Sequence, residues 1–288
     1  MKFVLFLIIL IQGSLFGLTF FVSSDPHYGY EAWSNNEAVN KEAIEDMNRL
    51  PGTPYPDGAL VETPKGVIVP GDLTGSGNVV NFTGYWLGGW IDGFASDYGV
   101  NKNEKLKFPV YEGYGNHDIH NTLDDGELIL TLIKIRNQRR ADPVNLSQNG
   151  LHYSWEWDGV HFVQLNLYPG NSDDARGSLD FLKEDLKERV GDSRKPVVLV
   201  HHYDILTEQR WWTTDEREAY YQAIKDYNVV LIITGHAHHL YKARLHGIPA
   251  ISAPAVKDDG YYLVIRMEEG KPRIFVRSPQ GWAGEIEL

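Results

Sequence analysis

Five short stretches of this sequence share one layout, in which an apolar run of strand type ends in a turn and is followed by His, Asp or Asn. The runs cover residues 18–22, 66–69, 108–112, 196–200 and 229–233. Continuous apolar runs are typical of parallel strands that are buried on both faces. In sheets built from such strands, ligands bind beyond the carboxyl ends. The layout therefore predicts an α/β fold in which the polar strand ends meet in one site.

Between these runs the sequence predicts helices and a hairpin. Apolar residues recur at helical spacing in residues 35–49, 127–140, 179–190 and 215–227. Asp158-Gly159 separates two alternating stretches, which is typical of a β-hairpin with a two-residue turn. The sequence contains no internal repeat or change of composition that would mark a boundary, so residues 18–288 are predicted to form a single domain.

Charge and composition limit the function classes that are open to this chain. It has 288 residues, a formal net charge of -12 and no cysteine. The acidic balance argues against an extended surface for a polyanion such as a nucleic acid. Without cysteine, disulfides and thiolate metal sites are excluded, so any bound metal must be held by oxygen and nitrogen.

The N-terminal segment is predicted to be a secretory signal peptide. Lys2 precedes an apolar run at residues 3–11, and small residues lie near Gly17. Residues 1–17 are therefore expected to be removed and the mature chain to be secreted. The run alone is too short to span a bilayer, but without cleavage it could extend through Val22 as an anchor. Asn81 and Asn145 match the N-glycosylation pattern, which matters only in a host that glycosylates.

Each polar strand end also has a purely structural interpretation. Asp25 and His27 are two positions apart and so point the same way, yet Asp-Pro is also a common turn dipeptide. The residues at 116–118 are Asn, His and Asp, which are common in turns because they bond the local backbone. The recurrence of such residues at five strand ends favours a ligand site. Together they supply enough nitrogen and oxygen donors for two divalent cations.

Taken in order, these motifs resemble those of the calcineurin-like metallophosphoesterase family. The matching segments are Asp25-Pro-His27, Gly71-Asp72, Gly115-Asn-His-Asp118, Val198-Leu-Val-His201 and Gly235-His-Ala-His238. The resemblance implies a four-layer αββα sandwich of two mixed β-sheets flanked by helices. It also implies a phosphatase or phosphodiesterase, which would hydrolyse a phosphate monoester or diester by attack of a metal-bridging hydroxide.

The resemblance implies a role for each matching residue. One metal would be bound by Asp25, His27 and His238, the other by Asn116, His201 and His236, and Asp72 would bridge them. Two cations about 3.5–4 Å apart can neutralise phosphoryl oxygens and hold attacker and leaving group in line. His117 is not needed as a ligand, so it is predicted to be catalytic and to protonate the leaving oxygen. Asp118 is predicted to set the tautomer of His117 and to raise its basicity; the alternative is that His117 only hydrogen-bonds within its loop.

Two departures from the family pattern bear on the subfamily and the pocket. Purple acid phosphatases have a tyrosine metal ligand where this chain has Gly75, and a glycine where it has His27, so that branch is not expected. The metal stays open among Zn, Mn, Mg and Fe(II). Many relatives have proline in place of Tyr203, which leaves the shape of the loop at 203–212 open.

Residues beside the proposed ligands are predicted to have supporting roles. His202 and His239 each adjoin a proposed ligand in the sequence. A neighbour one position along a strand points to the opposite face, so both are expected to pack or to support the ligands. Trp211 and Trp212 follow His201 in the chain, and they either line the pocket or pack in the core.

Two classes of function remain. The first is a secreted phosphoesterase acting on a small phosphate ester, such as a nucleotide, a sugar phosphate or a lipid head group. The alternative is a secreted, non-catalytic metal-binding module of the same fold, which should have lost a ligand or the pair His117 and Asp118; none is missing. The aromatic residues Trp86, Trp90 and Trp211 are compatible with a base or a lipid surface and do not decide the substrate.

Overall fold

The computed structural model describes residues 17–29, 36–75, 90–102, 104–120, 127–206 and 211–288. Residues 1–16 of the predicted signal peptide, Asn81, Trp86 and the side chain of Trp90 lie outside this description. The described part contains thirteen strands: β1 Leu18–Val22, β2 Val67–Val69, β3 Val110–Glu112, β4 Asn145–Leu146, β5 Tyr153–Trp157, β6 Val160–Gln164, β7 Val197–Val200, β8 Val229–Thr234, β9 Tyr241–Leu245, β10 Ile248–Ser252, β11 Tyr262–Glu268, β12 Lys271–Ser278 and β13 Gly281–Ile286.

Seven α-helices lie in the same part of the chain: α1 Asn36–Arg49, α2 Trp90–Asp97, α3 Asn116–Ile119, α4 Glu127–Gln138, α5 Ser178–Asp185, α6 Thr214–Ile224 and α7 Val256–Asp259. The helix predicted at 179–190 is α-helical only to Asp185 and continues as a π-helical turn, Leu186–Val190. The other predicted helices are confirmed, with ends that shift by a few residues. None of the described helices is both long enough and apolar enough to cross a membrane.

The strands form two mixed sheets. The first has the order β13-β12-β11-β1-β2-β3 and the second the order β4-β5-β6-β7-β8-β10-β9. In the first sheet β1, β2 and β3 are parallel, and in the second β6, β7 and β8 are parallel. The five apolar runs are therefore confirmed as neighbouring parallel strands, which brings their carboxyl ends to the edges of two sheets.

Alternation along each buried strand divides its side chains between two apolar clusters. In β1, Phe20 packs between the sheets against Phe162 of β6, with 5.2 Å between ring centroids. Its neighbour Phe21 belongs to the outer cluster, which includes Met47 of α1. The sheets thus share an inner core and are covered by helices on their outer faces, which gives the four-layer αββα sandwich.

A buried ion cluster fixes the end of β3, which leads directly into the Gly115 turn. Glu112 is fully buried and accepts hydrogen bonds from Arg136 at 2.7 Å and Arg140 at 3.0 Å. Burial opposes ionisation of Glu112, but the two guanidinium groups outweigh it and hold the pKa of Glu112 below its ordinary value. Helix α4 and Arg140, two positions after its end, are thereby tied to β3, the strand that leads to Asn116.

His152 is a buried histidine that the fold keeps neutral. Its Nδ1 accepts a hydrogen bond from Asn166 at 2.9 Å and its Nε2 donates to the carbonyl of Arg176 at 3.1 Å. Burial lowers the pKa of His152 from 6.5 to about 4. As the pH falls below 6.5, the unfolded chain therefore takes up a proton that the folded chain does not, and stability is lost between about pH 6.5 and pH 4.

We expect His152→Gln to remove about 3 kcal/mol of this acid destabilisation, because the amide mimics the hydrogen bonds without titrating. The measurement is urea unfolding at pH 7 and at pH 4. His246→Gln is the control, since the side chain of His246 is 48% exposed, and it should keep the pH dependence of the wild type. An unchanged pH dependence in His152→Gln would contradict this expectation.

Candidate metal centre

Residues from five strand ends converge between the two sheets. Two groups of possible ligand atoms result, and within each group the atoms lie within 4.8 Å of one another. The first group consists of Asp25, His27, Asp72 and His238, and the second of Asp72, His202 and His236. Asp72 belongs to both groups. The structure therefore has the arrangement that a pair of adjacent cations with one shared carboxylate requires.

The first group is compact and mostly buried. His27 Nε2 lies 3.0 Å from His238 Nε2 and 3.4 Å from Asp72 Oδ2. Asp25 Oδ1 lies 3.5 Å from His238 Nε2 and 3.8 Å from His27 Nε2. The side chains of Asp25, His27 and Asp72 are fully buried, and that of His238 is 33% exposed. Two imidazoles and two carboxylates thus face one point.

The second group lies on the other side of Asp72. His202 Nε2 is 3.2 Å from Asp72 Oδ2 and 3.0 Å from Asn116 Oδ1. The rings of His202 and His236 have centroids 5.2 Å apart. Asn116 begins helix α3 after Gly115, as the predicted turn requires. The structure therefore brings Asn116 and His236 close to Asp72. The histidine that joins them is His202, in place of the predicted His201.

The structure places His202, and not the predicted His201, in the second group of possible ligand atoms. Inner-core positions of β7 are Val198 and Val200, so the next residue of the same phase is His202. His201 follows the phase of Val197 and Leu199, which face the helices. The end of β7 therefore places the imidazole of His202, and not that of His201, between the sheets. The sequence alone did not show this phase, because β7 is apolar on both faces.

His201 lies in the helix-side core. Its ring contacts Trp212 and Tyr220 at centroid distances of 5.6 and 5.5 Å, and it is fully buried. Neither ring nitrogen makes a hydrogen bond of normal geometry with the described residues. Burial lowers the pKa of His201 to about 3. His201 thus packs as a neutral ring behind the ligand cluster, which is the role that the sequence interpretation gave to His202.

The donor set fits a divalent cation. All of its atoms are imidazole nitrogens or carboxylate and amide oxygens, the ligands that Zn, Mn and Fe(II) accept. Asp72 Oδ2 is buried and receives no hydrogen bond from the described part of the chain, although two imidazole nitrogens lie at 3.2 and 3.4 Å. A buried carboxylate oxygen without a hydrogen bond is costly, and a cation would compensate it.

The charged groups of the cluster shift one another's pKa values. Burial opposes ionisation of Asp72, but the neighbouring His202 and His27 prevail and hold its pKa well below its ordinary range. For His202, burial favours the neutral ring, yet Asp72 outweighs it and raises the pKa to about 9. Burial lowers the pKa of His236 to about 4. Metal ligands must be deprotonated, so a cation at this place would replace the proton of His202.

Five residues of the two groups have a strained, left-handed backbone conformation. Positive φ angles occur at Asp25 (51°), His27 (45°), Asp72 (52°), His236 (67°) and His238 (62°). The left-handed conformation costs about 1–2 kcal/mol for a residue with a side chain. Such strain persists where the surrounding structure enforces it, and it concentrates at functional sites. Its occurrence at five residues of one cluster supports a functional role for that cluster.

Two motif glycines leave space for the carboxylates. A Cβ atom on Gly115 would clash with the Asp72 carboxylate and lie 2.5 Å from the Asp72 nitrogen. A Cβ atom on Gly235 would lie 2.6 Å from Asp25 Oδ2 and 2.5 Å from Ser24 Oγ. Because Asp72 and Asp25 are fully buried, neither side chain can move away from an added Cβ atom without displacing the rest of the cluster.

We expect Gly115→Ala to lower metal affinity at least about tenfold, since displacing groups around a metal typically costs 10–100-fold. Metal content after dialysis against defined free metal measures this. Gly177→Ala is the control: it carries the backbone strain of a residue at φ 76° but meets nothing within 4 Å. Wild-type affinity in Gly115→Ala would show that Asp72 is not held as described.

His117 and Asp118 are both at the site, but they do not interact as predicted. The Nδ1–H group of His117 donates a hydrogen bond to the Gly75 carbonyl oxygen at 2.6 Å. The backbone N–H of His117 donates to Asp72 Oδ1 at 2.9 Å. Its ring lies 4.7 Å from that of His27. The Gly75 carbonyl therefore sets the His117 tautomer, the role that the sequence interpretation assigned to Asp118.

Asp118 instead joins two loops. Its carboxylate accepts hydrogen bonds from the backbone N–H groups of Leu73, Thr74 and Gly115 at 2.8–3.1 Å, and from the Thr74 hydroxyl at 3.0 Å. Burial, together with the charge of Asp72, raises the pKa of Asp118 to about 6 against these hydrogen bonds. Asp118 therefore positions the turn after β2 against the turn after β3, and with it Asp72 against His117.

Comparisons with known proteins agree with this architecture. Residues 18–240 match the model of the calcineurin-like phosphoesterase family. GAP50, the anchor in the inner membrane complex of Plasmodium, is similar in structure: it is 12% identical with a TM-score of 0.56, over 94% of this chain and 87% of that one. At such identity the likeness shows the fold alone. No functionally curated protein matches the sequence.

Two further solved structures show weaker likeness. A 5'-nucleotidase from Candida albicans is 12% identical with a TM-score of 0.48, over 88% of this chain and 47% of that one. This chain therefore spans about half of that nucleotidase. Vps29 from Entamoeba histolytica is 10% identical with a TM-score of 0.39, over 91% of this chain and 92% of that one.

Proposed function

Since the chain belongs to the calcineurin-like phosphoesterase family, we propose that it hydrolyses a phosphate monoester or diester at a centre of two divalent cations. The observation that carries this proposal is the shared position of Asp72 in two groups of ligand atoms. When bound, the two cations would neutralise phosphoryl oxygens and lower the pKa of the attacking water.

The residues that would hold the cations follow from the two groups. Asp25, His27 and His238 would hold one ion, and Asn116, His202 and His236 would hold the other. Asp72 Oδ2 faces His27 on one side and His202 on the other, so its carboxylate would fix the spacing of the pair. His202 takes the place that the sequence interpretation gave to His201.

His117 is the residue that we propose moves a proton. Its Nδ1 is committed to the Gly75 carbonyl, so Nε2 is the atom that would donate a proton to the leaving oxygen. The ring adjoins His27 at the edge of the first group, within reach of an ester bound there. Asp118 would act indirectly, by holding the backbone from which His117 projects.

We expect His117→Gln to lower kcat for phenyl phosphate, whose more basic leaving oxygen needs a proton, by about 10²–10⁴, the usual contribution of general acid–base catalysis. Its metal content should stay that of the wild type, because His117 is not a ligand in this account. Enzyme assay and elemental analysis of one Mn²⁺-loaded sample measure both. Unchanged turnover in His117→Gln would remove it from the mechanism.

The proposed function itself is tested by turnover with and without metal. Wild-type protein loaded with Mn²⁺ or Zn²⁺ should hydrolyse p-nitrophenyl phosphate or its bis ester, and a chelator should stop the reaction. Stoichiometric metal without hydrolysis across a broad panel of esters would instead identify the non-catalytic metal-binding module.

We also propose that the protein is secreted after removal of residues 1–17, on the basis of Lys2, the apolar run at 3–11 and the small residues near Gly17. Intact-mass analysis of protein from the native host tests this. A mature chain that starts at Leu18 would support cleavage, and a chain that retains residue 1 would contradict it.

A further inference from the structure

We propose that Asn166 is a positioning residue, which sets the distance between Asn116 and His202 across the two sheets. This inference rests on the proposed function, in which both residues hold the second cation. Asn166 acts through the backbone from which the two ligands project. Its loss should therefore weaken the binding of one cation and leave that of the other intact.

The backbone of Asn166 holds the backbone of His202. Asn166 lies two positions after β6, the parallel neighbour of β7, and is fully buried. Its carbonyl oxygen accepts a hydrogen bond from the backbone N–H of His202 at 2.7 Å, and the carbonyl oxygen of Leu167 shares this donor at 3.2 Å. The pairing of the two strands thus continues past their ends and fixes the point from which the imidazole of His202 projects.

The side chain of Asn166 reaches the other sheet. Its Oδ1 atom accepts a hydrogen bond from the backbone N–H of Tyr114 at 3.1 Å. Tyr114 follows β3 in the first sheet, and only Gly115 separates it from Asn116. Asn166 therefore bonds the backbone of both segments whose side chains meet where Asn116 Oδ1 and His202 Nε2 lie 3.0 Å apart.

One orientation of the Asn166 amide satisfies its described neighbours. Its Nδ2 atom donates to the carbonyl oxygen of Leu151 at 3.0 Å and to Nδ1 of His152 at 2.9 Å. A flipped amide would turn Oδ1 toward these two acceptors and Nδ2 toward the N–H of Tyr114. Because a buried polar group without a partner is costly, these contacts hold the side chain in one position.

The backbone conformation of Asn166 allows the role of its side chain to be tested alone. Its φ angle is 59°, in the left-handed region that asparagine tolerates better than most residues. Glycine adopts the same conformation without strain. Asn166→Gly should therefore keep the carbonyl bond to His202 and remove the bond to Tyr114.

Separate contacts hold the first group of ligands. The backbone N–H of His27 donates to the carbonyl of Asp72 at 3.0 Å, and the carbonyl of Pro26 accepts a hydrogen bond from the buried amide of Asn40 at 2.9 Å. Removing the side chain of Asn166 should therefore displace ligands of the second cation. A residue that served only the stability of the fold would weaken both cations or neither.

The test is calorimetric titration of metal-free Asn166→Gly and wild-type protein with Mn²⁺. We expect two binding events in the wild type. In Asn166→Gly the Kd of one event should rise about 10–100-fold, which is typical for residues that orient metal ligands, and the other should stay within about twofold. At the Mn²⁺ concentration that just saturates the wild type, electron paramagnetic resonance should detect a coupled pair of ions in the wild type and uncoupled Mn²⁺ in the variant.

Two controls separate positioning from backbone conformation and from stability. Glu269→Gly makes a matching backbone change at φ 50° in the exposed turn between β11 and β12. Thr19→Val removes a buried hydroxyl group at the amino end of β1, where it donates to Glu62 at 2.7 Å. Both controls should keep the two wild-type Kd values, although Thr19→Val should lower the free energy of unfolding.

A conservative variant keeps part of the network. Asn166→Asp retains an acceptor for the N–H of Tyr114 and tolerates the same φ angle, but it loses both donations from Nδ2. The Kd of the same cation should rise at least about threefold, and less than in Asn166→Gly. If Asn166→Gly does not fold, the result with Asn166→Asp decides.

Three results would overturn the inference: wild-type Kd values for both ions in the Asn166 variants, equal weakening of both ions, or binding of a single ion by the wild type. The proposed function is judged separately by ester hydrolysis. Turnover without a selective loss of one ion would reject the role of Asn166 alone. A selective loss in a protein without turnover would support that role and reject the hydrolytic function alone.

Discussion

Replacing His202 with alanine will lower both kcat/KM for p-nitrophenyl phosphate and metal affinity at the second group by more than the 10–100-fold that is typical for residues that only support a ligand. The reason is geometric: His202 Nε2 lies 3.2 Å from Asp72 Oδ2 and 3.0 Å from Asn116 Oδ1. Without this imidazole, the second group would lose its central donor. The measurement is kcat/KM with elemental analysis of the same dialysed sample.

The adjacent histidine provides the control. His201→Phe replaces a buried neutral ring, packed on Trp212 and Tyr220, with an apolar ring of similar shape. Neither ring nitrogen of His201 has a hydrogen-bond partner among the described residues, so their removal should be nearly neutral and metal content and kcat/KM should match the wild type. Loss of metal in His201→Phe and retention in His202→Ala would show that the two roles are reversed.

Replacing Asp72 with asparagine will have a comparable effect for a different reason. Asparagine tolerates the left-handed conformation that Asp72 adopts at φ 52°, so the backbone should not change. The side chain loses the negative charge that both groups share. We expect at most one ion per chain and a decrease in kcat of at least about 10³, equivalent to about 4 kcal/mol of transition-state stabilisation.

The control for this substitution is Asp158→Asn. Asp158 also has a positive φ, 47°, but lies in the hairpin turn between β5 and β6 with a side chain 53% exposed. Its substitution should leave metal content and kcat unchanged. Added Mn²⁺ should raise the thermal unfolding temperature of the wild type and of Asp158→Asn, because a ligand that binds the folded state stabilises it. An equal rise in Asp72→Asn would contradict a bridging role.

The sequence predicted the elements of the site better than their contacts. The sequence predicts strands such as Leu18–Val22 and Val229–Thr234 because buried parallel strands are uninterrupted apolar runs. Because the run before His201 is apolar on both faces, the sequence does not show whether His201 or His202 lies between the sheets. Where both faces of a strand are buried, no alternation in the sequence shows which face the following residue joins.

Asp118 shows a second limit. Its neighbour in the sequence is His117, and that adjacency suggested a direct interaction. Its actual partners include Leu73 and Thr74, which are 45 and 44 positions away along the chain. Contacts of this kind depend on how β2 and β3 pair, and the sequence pattern does not encode that register. For the same reason the carbonyl of Gly75 was not foreseen as the partner of His117.

The most direct test of the central claim is an anomalous difference map from crystals of the Mn²⁺-loaded protein. The account predicts two peaks about 3.5–4 Å apart, with the Asp72 carboxylate contacting both. His202 should contact one of them, and His27 the other. A single peak, or two peaks of which neither contacts Asp72, would contradict the account.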